Sequence, residues 1–219
     1  KLQQSPRIPI DTARLSGSIA LRGGRIDDLV MRNYRVTVKK DSPNVILFSP
    51  SGTPFGFYAQ FGWVASSPDT TVPGDDTIWT ASGNKLTVDQ PVTLTWDNGE
   101  GLSIDQGYMF AVTDRVEASG TSAATLFPYG LIGRDGVPKT SGFFILHEGP
   151  IGVFNDKLKE FGYDDLQDDG VQSFESTGGW FGITDKYWLA ALVPDQQAAF
   201  KARMLHSMAQ GRDKFQTDF

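Results

Sequence analysis

Apolar residues along this chain come in short runs with a period of two, interrupted by glycine and proline. In Pro91 to Gly99, Val92, Leu94 and Trp96 alternate with Thr93 and Thr95, which on a pleated backbone gives one apolar and one polar face. Asn98-Gly99 follows, a pair suited to the positive φ angles of a tight hairpin turn. Leu102 and Ile104 then supply the apolar face of a returning strand. Ser18 to Leu21 leads into Gly23-Gly24, and Arg25 to Val30 follows, two further strand-like runs about a glycine pair. Tyr34 to Val38, Val45 to Phe48, Phe57 to Phe61, Tyr108 to Val116 and Gly142 to His147 are each strand-like. Loops rich in Ser, Pro, Asp and Gly separate them, most clearly Ser66 to Asp76 and Ser119 to Ala124. With 24 glycines and 12 prolines distributed throughout, the pattern predicts many short strands joined by turns.

Two segments carry helical signals. Asn155 to Gly162 opens on an N-cap residue and closes on glycine, enough for one or two turns. In Asp195 to Ala209, Phe200, Met204 and Met208 recur every four residues. Phe200, Ala202 and Met204 also alternate against Lys201 and Arg203, which suits a strand, and periodicity alone leaves both states open.

Length and charge narrow the picture. At 219 residues the chain, residues 1–219, is expected to form a single domain and to bury roughly 70% of its unfolded surface. It has no cysteine, which excludes thiolate catalysis, cysteine-ligated zinc and a disulfide framework. A net charge of −6 and a pI near 4.9 run against the basic excess of nucleic-acid binders, so no nucleic-acid partner is expected. The same balance disfavours an anionic membrane surface. The most apolar stretch, Tyr187 to Pro194, is far shorter than the ~20 residues of a membrane span. The chain opens on Lys1 with no signal-peptide pattern, and we expect it to be a piece of something longer.

The search for chemistry yields no catalytic, cofactor-binding or metal-ligating residue. His147 stands beside Glu148, but on a strand neighbouring side chains point to opposite faces and do not converge on one substrate atom. His206 has no partner nearby in sequence. Asp164 to Gly170 can be aligned to a calcium loop with Asp165, Gln167 and Asp169 as early ligands. Position twelve is then Ser176 instead of a bidentate glutamate, with Glu175 one place early, so the segment reads as a solvated acidic turn. Paired carboxylates of a glycosidase are not singled out by any spacing. Trp63, Trp79, Trp96, Trp180 and Trp188 read as core positions. Gly23-Gly24 and Gly178-Gly179 lack the phosphate-loop patterns and mark bulges or close backbone approach. No serine sits in a Gly-x-Ser-x-Gly elbow.

Three stretches carry a family likeness: Ile19 to Leu29 with Tyr34-Arg35; Glu148-Gly149-Pro150-Ile151-Gly152-Val153-Phe154-Asn155; and Gly178-Gly179-Trp180-Phe181-Gly182-Ile183-Thr184-Asp185-Lys186-Tyr187-Trp188. Together they resemble the first large periplasmic domain of bacterial members of the YidC/Oxa1/Alb3 membrane-insertase family. The resemblance implies an all-β fold, a large twisted β-sandwich (a supersandwich, mutarotase-like) with at most short helices. It also tips Ala198 to His206 toward strand. A mutarotase-like fold does not carry mutarotase activity.

What the resemblance further implies is a non-enzymatic role, on the periplasmic face of the bacterial inner membrane, assisting insertion and folding of inner-membrane proteins. The implied partners are Sec translocon accessory subunits and nascent membrane proteins, with the contact sought in Val112 to Leu166. The family domain continues beyond the point matching Thr217-Asp218-Phe219, so truncation is expected there; whether it leaves an unpaired sheet edge, open to an added strand, the sequence does not decide. The alternative is a sugar-binding or sugar-active sandwich, which requires His147 or a pair of carboxylates to face an acidic cleft beside a tryptophan.

Overall fold

The computed structural model describes residues 5–96, 98–104, 108–117, 124–138, 147–185, 187–209 and 211–219. The chain divides into two compact units, one of Lys1–Pro50 with Gln60–Tyr129 and one of Ser51–Ala59 with Gly130–Phe219.

In the first unit β1 (Arg7–Asp11), β2 (Leu15–Ala20), β3 (Arg25–Arg35) and β5 (Phe57–Ala65) lie in that order, and β4 (Asn44–Phe48) also pairs with β3. The antiparallel register puts Ile8, Ile19 and Ile26 in one row, with Leu15, Met31 and Val45 in another; all six are buried. The opposite face is polar. A register shift between Ser18 and Ile19 bulges Asp27 out of the ladder, and this lets both Asp27 and Asp28 reach that face. Arg7 pairs there with Asp27 and donates from Nε to Ser18 Oγ at 2.7 Å, while Ser18 Oγ donates to Asp28 at 2.5 Å. The β2–β3 connection takes Gly23 and Gly24 at φ of 75° and 61°, a left-handed pair that a side chain resists.

A second sheet of the unit runs β6 (Thr80–Ser82), β7 (Val92–Trp96), β8 (Asn98–Ile104) and β9 (Phe110–Asp114) in order. Val92 and Leu94 are fully buried, as the alternation requires. The hairpin is present, but Trp96 pairs with Asn98 and Thr95 with Gly99, so Asn98 and Gly99 belong to the returning strand and not to the turn. The strand expected over Tyr34 to Val38 ends at Arg35, and that over Tyr108 to Val116 narrows to β9. Most of Ser119 to Ala124, and Gly142 to Leu146 of the strand expected to end at His147, lie outside the described residues.

In the second unit the strands β10 (Leu126–Asp135), β17 (Arg212–Asp218), β16 (Ala199–Ala209) and β13 (Gln172–Thr177) are neighbours in that order. β5 and β10 each span the division, so each supplies residues to both units. A second sheet of this unit runs β12 (Lys157–Glu160), β11 (Gly149–Phe154), β14 (Gly179–Thr184) and β15 (Leu189–Leu192). The two sheets of the unit meet through stacked rings: Phe154 on Phe174 at 4.2 Å and Phe181 on Phe200 at 6.0 Å between centroids. This is an antiparallel β-sandwich, the fold the resemblance implies, built from strands of the kind the alternation predicts. β17 is paired on both sides, by β10 and β16, so the last strand, ending at Thr217-Asp218-Phe219, forms no open edge.

The helix expected over Asn155 to Gly162 is a hairpin. Asn155 and Asp156 take φ of 47° and 62°, and Phe154 pairs with Lys157 across them. Asparagine and aspartate favour a helix start and also tolerate the left-handed region, and here the second property prevails. The helix lies one segment on, α1 (Tyr163–Asp169), where an acidic turn is expected. Asp165 accepts the Gly162 N–H at 2.7 Å, two acids occupy the first turn as the dipole favours, and Tyr163 and Leu166 are buried. Asp195 to Ala209 contains strand β16.

Candidate functional site

The register of β12–β11–β14–β15 sorts its side chains cleanly. Pro150, Gly152, Phe154, Phe181, Ile183, Ala190 and Leu192 share one face, and all are buried, with Phe181 and Ile183 at 0% exposure. The other face carries Leu158, Val153 and Trp180 in one row and Glu160, Ile151, Gly182 and Ala191 in the next. A third row holds Gly149, Thr184 and Leu189. Leu158 is 54% exposed and Leu189 44%, and Tyr187 and Val193 flank β15 at 69% and 52%. Glu160 is the one charge among these rows. A sheet apolar on both faces, one of them partly open to solvent among the described residues, marks an interaction surface.

Gly182 keeps that face flat. A Cβ there would stand 1.9 Å from the Ala190 carbonyl oxygen, so β15 approaches too closely for any side chain. The end of β14 is anchored from below by Arg134, whose guanidinium pairs with Asp185 at 2.8 Å and lies 4.6 Å from the Phe57 ring centroid. The Arg134 side chain is 9% exposed. Asp185, part of the most specific stretch of the family likeness, is thus the counterion of a buried arginine. Tyr163, packed edge-on against Phe215 at 4.7 Å, has its phenol pushed up by burial.

The unit has two contrasting strand edges. On β13 the Asn155 side chain donates to the Glu175 carbonyl at 2.8 Å and accepts the Thr177 N–H at 3.3 Å. It occupies the hydrogen-bonding groups that an added strand would need. A cleft of about 400 Å³ beside it is lined by Asn155, Glu175, Thr177, Phe200 and Lys201, where Glu175 pairs with Lys201 at 3.2 Å. On β15 only β14 is a neighbour among the described residues, and its edge is open.

His147 bonds through its ring to the Pro150 carbonyl at 3.0 Å. His206, without a partner in sequence, finds one across the β16–β17 hairpin: Asp213 at 2.8 Å, with Phe215 at 5.0 Å. Gln167 of α1 also donates to Asp213, and hydrogen bonds from Gln167 and His206 hold its carboxyl below the usual range. Among the described residues no three of His, Asp or Glu converge to hold a metal ion. Of Val112 to Leu166, Gly149, Ile151, Val153, Leu158 and Glu160 lie on the open face; Trp180, Gly182, Thr184, Leu189 and Ala191 come from further along. No short motif marks that face, because it appears only once four strands are in register.

Fold and surface define an antiparallel β-sandwich domain with an exposed apolar sheet face. The chain matches the family described as the YidC periplasmic domain over residues 7–219, and it belongs to that family. It is 48% identical over 215 residues to a membrane protein insertase YidC of Methylobacterium nodulans, covering 91% of this chain and 35% of that protein. It is 47% identical to the insertase of Nitrobacter hamburgensis, over 98% of this chain and 37% of the relative. The identity to that of Rhizobium johnstonii is 45%, over 100% and 38%. The chain therefore spans about a third of the length of these curated relatives. No helix among the described residues is long and apolar enough to cross a membrane.

Proposed function

We propose that this chain is a non-enzymatic domain on the periplasmic face of the bacterial inner membrane that assists insertion and folding of inner-membrane proteins. In this reading it holds an extended apolar segment of a nascent membrane protein against the open face and free edge of β15. The observation that carries the reading is the pairing of those two features on one element. The edge supplies main-chain hydrogen bonds, and Leu189, Ala191 and the Trp180 row supply apolar contact. Covering a leucine contributes about 2 kcal/mol, and ordering the guest offsets much of the sum. The affinity is then on the order of micromolar. Weak, sequence-tolerant capture suits a partner that must be released.

The test is an anisotropy titration of this protein with a labelled extended peptide of alternating Leu and Thr. Leu189→Asp and Leu158→Asp are each expected to weaken binding by about tenfold. Unchanged affinity in both variants would rule the face out. A purified Sec accessory subunit retained on this face, with no peptide bound, would move the partner from the nascent chain to the translocon. A sugar-binding reading needs two carboxylates facing one another, or His147 facing a carboxylate, in a cleft beside a tryptophan; the His147 ring bonds to a main-chain carbonyl.

A further inference from the structure

A second exposed surface, in the first unit, has a different chemistry. Beyond Arg35 the chain leaves β3 and closes over residues 36–43 before re-entering β4 at Asn44. This tip is held by its own hydrogen bonds. The Val36 N–H donates to the Pro43 carbonyl at 3.0 Å and the Ser42 N–H to the Lys39 carbonyl at 3.1 Å. The Thr37 N–H donates to Ser42 Oγ at 2.8 Å, and Arg35 donates to the Ser42 carbonyl at 2.6 Å. Ser42 is buried at the centre, and every residue from 32 to 41 is exposed. The loop therefore presents Val36 and Val38 outward, Val36 at 62% exposure and Val38 at 104%.

Charge is concentrated at the same place. Residues 32–41 hold Arg32, Arg35, Lys39 and Lys40 with Asp41 as their one acid, a local positive excess in a chain whose net charge is −6. Asp11 holds Arg32 at 2.7 Å, whereas no ion pair among the described residues engages Lys39 or Lys40. Behind the tip, the half-exposed rings of Tyr34 and Tyr108 lie 6.4 Å apart, with Arg14 5.4 Å from the Tyr108 centroid.

We propose that the β3–β4 tip docks on a phospholipid bilayer surface that carries anionic headgroups. Lys39 and Lys40 meet the phosphates, Val36 and Val38 enter the headgroup layer, and the tyrosine pair sits at the interface. Each part matches a known preference: lysines for the negative surface potential, small aliphatics for the acyl boundary, tyrosines for the headgroup level. The size of the tip favours lipid over an acidic protein. A stable protein interface takes about 20–30 residues a side, more than the seven exposed residues that 36–43 present, while a bilayer sets no such minimum. The net charge of the chain argues against an anionic surface only if charge is spread evenly, and here it is segregated.

The experiment is co-sedimentation of the 219-residue protein with large unilamellar vesicles, either phosphatidylglycerol with phosphatidylethanolamine or phosphatidylcholine alone. Binding is expected to the phosphatidylglycerol vesicles and to weaken as salt is raised. Lys39→Gln and Lys40→Gln should each reduce partition about fivefold, and Val38→Ser should reduce it at constant charge. All three side chains are exposed, so circular dichroism and melting should not change. Equal binding to both vesicle types, no binding to either, or full binding by the double lysine variant would overturn the proposal. Tighter binding to soluble polyglutamate than to vesicles would do the same and point to an acidic protein. The sheet-face variants Leu158→Asp and Leu189→Asp should leave vesicle binding intact, so the two readings fail separately.

Discussion

The open face of β12–β11–β14–β15 and the β3–β4 tip both expose apolar side chains, yet they are built in opposite ways. The face is broad, spans four strands, carries Glu160 as its one charge, and rests on a back layer in which Phe181 and Ile183 are fully buried. The tip is one loop, cationic, and held by hydrogen bonds around Ser42. The face has a strand register to offer a guest and the tip has none. Exposed apolar area therefore says that something is bound, while breadth, charge and a free edge say what. Within the second unit the contrast repeats on a smaller scale: Asn155 blocks the β13 edge and nothing described blocks that of β15.

This comparison can be broken first at its supports. Asp185→Ala leaves the Arg134 guanidinium without its counterion at 9% exposure and should cost about 3 kcal/mol, seen as a lower urea midpoint. A loss below about 1 kcal/mol would show that solvent already screens the pair. Gly182→Val forces a side chain into the space of the Ala190 carbonyl and should cost about 2 kcal/mol. It should also weaken capture of the extended peptide while sparing vesicle binding.

A smaller effect is set by pH and belongs to the first unit. Burial pushes the Asp114 carboxyl up to about 6, and its Oδ1 has no hydrogen-bond partner among the described residues. A carboxyl raised above its unfolded pKa contributes stability that is fully present below about pH 4 and is lost as pH rises through about 6. Asp114→Asn should therefore stabilise the protein by about 1 kcal/mol at pH 8, after allowance for partial exposure, and by nothing at pH 4. Parallel stability–pH curves for the two proteins would refute the assignment. The smallest effects are the sharpest. Leu158→Asp and Lys39→Gln should each change stability by less than about 0.5 kcal/mol, while each abolishes or weakens only its own kind of binding.

The expectation of a single domain turns on cooperativity. We propose that the 219 residues unfold as one, since β5 and β10 each supply residues to both units. One calorimetric transition is the expected result, and two resolved transitions would replace it with two domains.

Much of the strand content was legible in the sequence, for a local reason: a period of two is written into consecutive residues. The alternation at Val92 and Leu94 gave a buried face, whereas Gly23-Gly24, expected to mark a bulge or close backbone approach, form a left-handed pair between two strands. Where one local signal served two conformations the reading failed, as at Asn155, whose side chain can cap a helix or whose backbone can turn a hairpin. The family was also legible, through the run ending in Asp185 and Trp188, although nothing in that run says why aspartate stands there. The structure supplies the reason in Arg134, 51 positions earlier.

By itself, then, the sequence determined that strands form, which faces of many of them are apolar, and to which family the chain belongs. Tertiary structure alone decided that Ile151, Trp180 and Leu189 share one open face and that Arg134 meets Asp185. Such pairings join residues far apart along the chain, and a contact between distant strands leaves no mark on the local pattern of either.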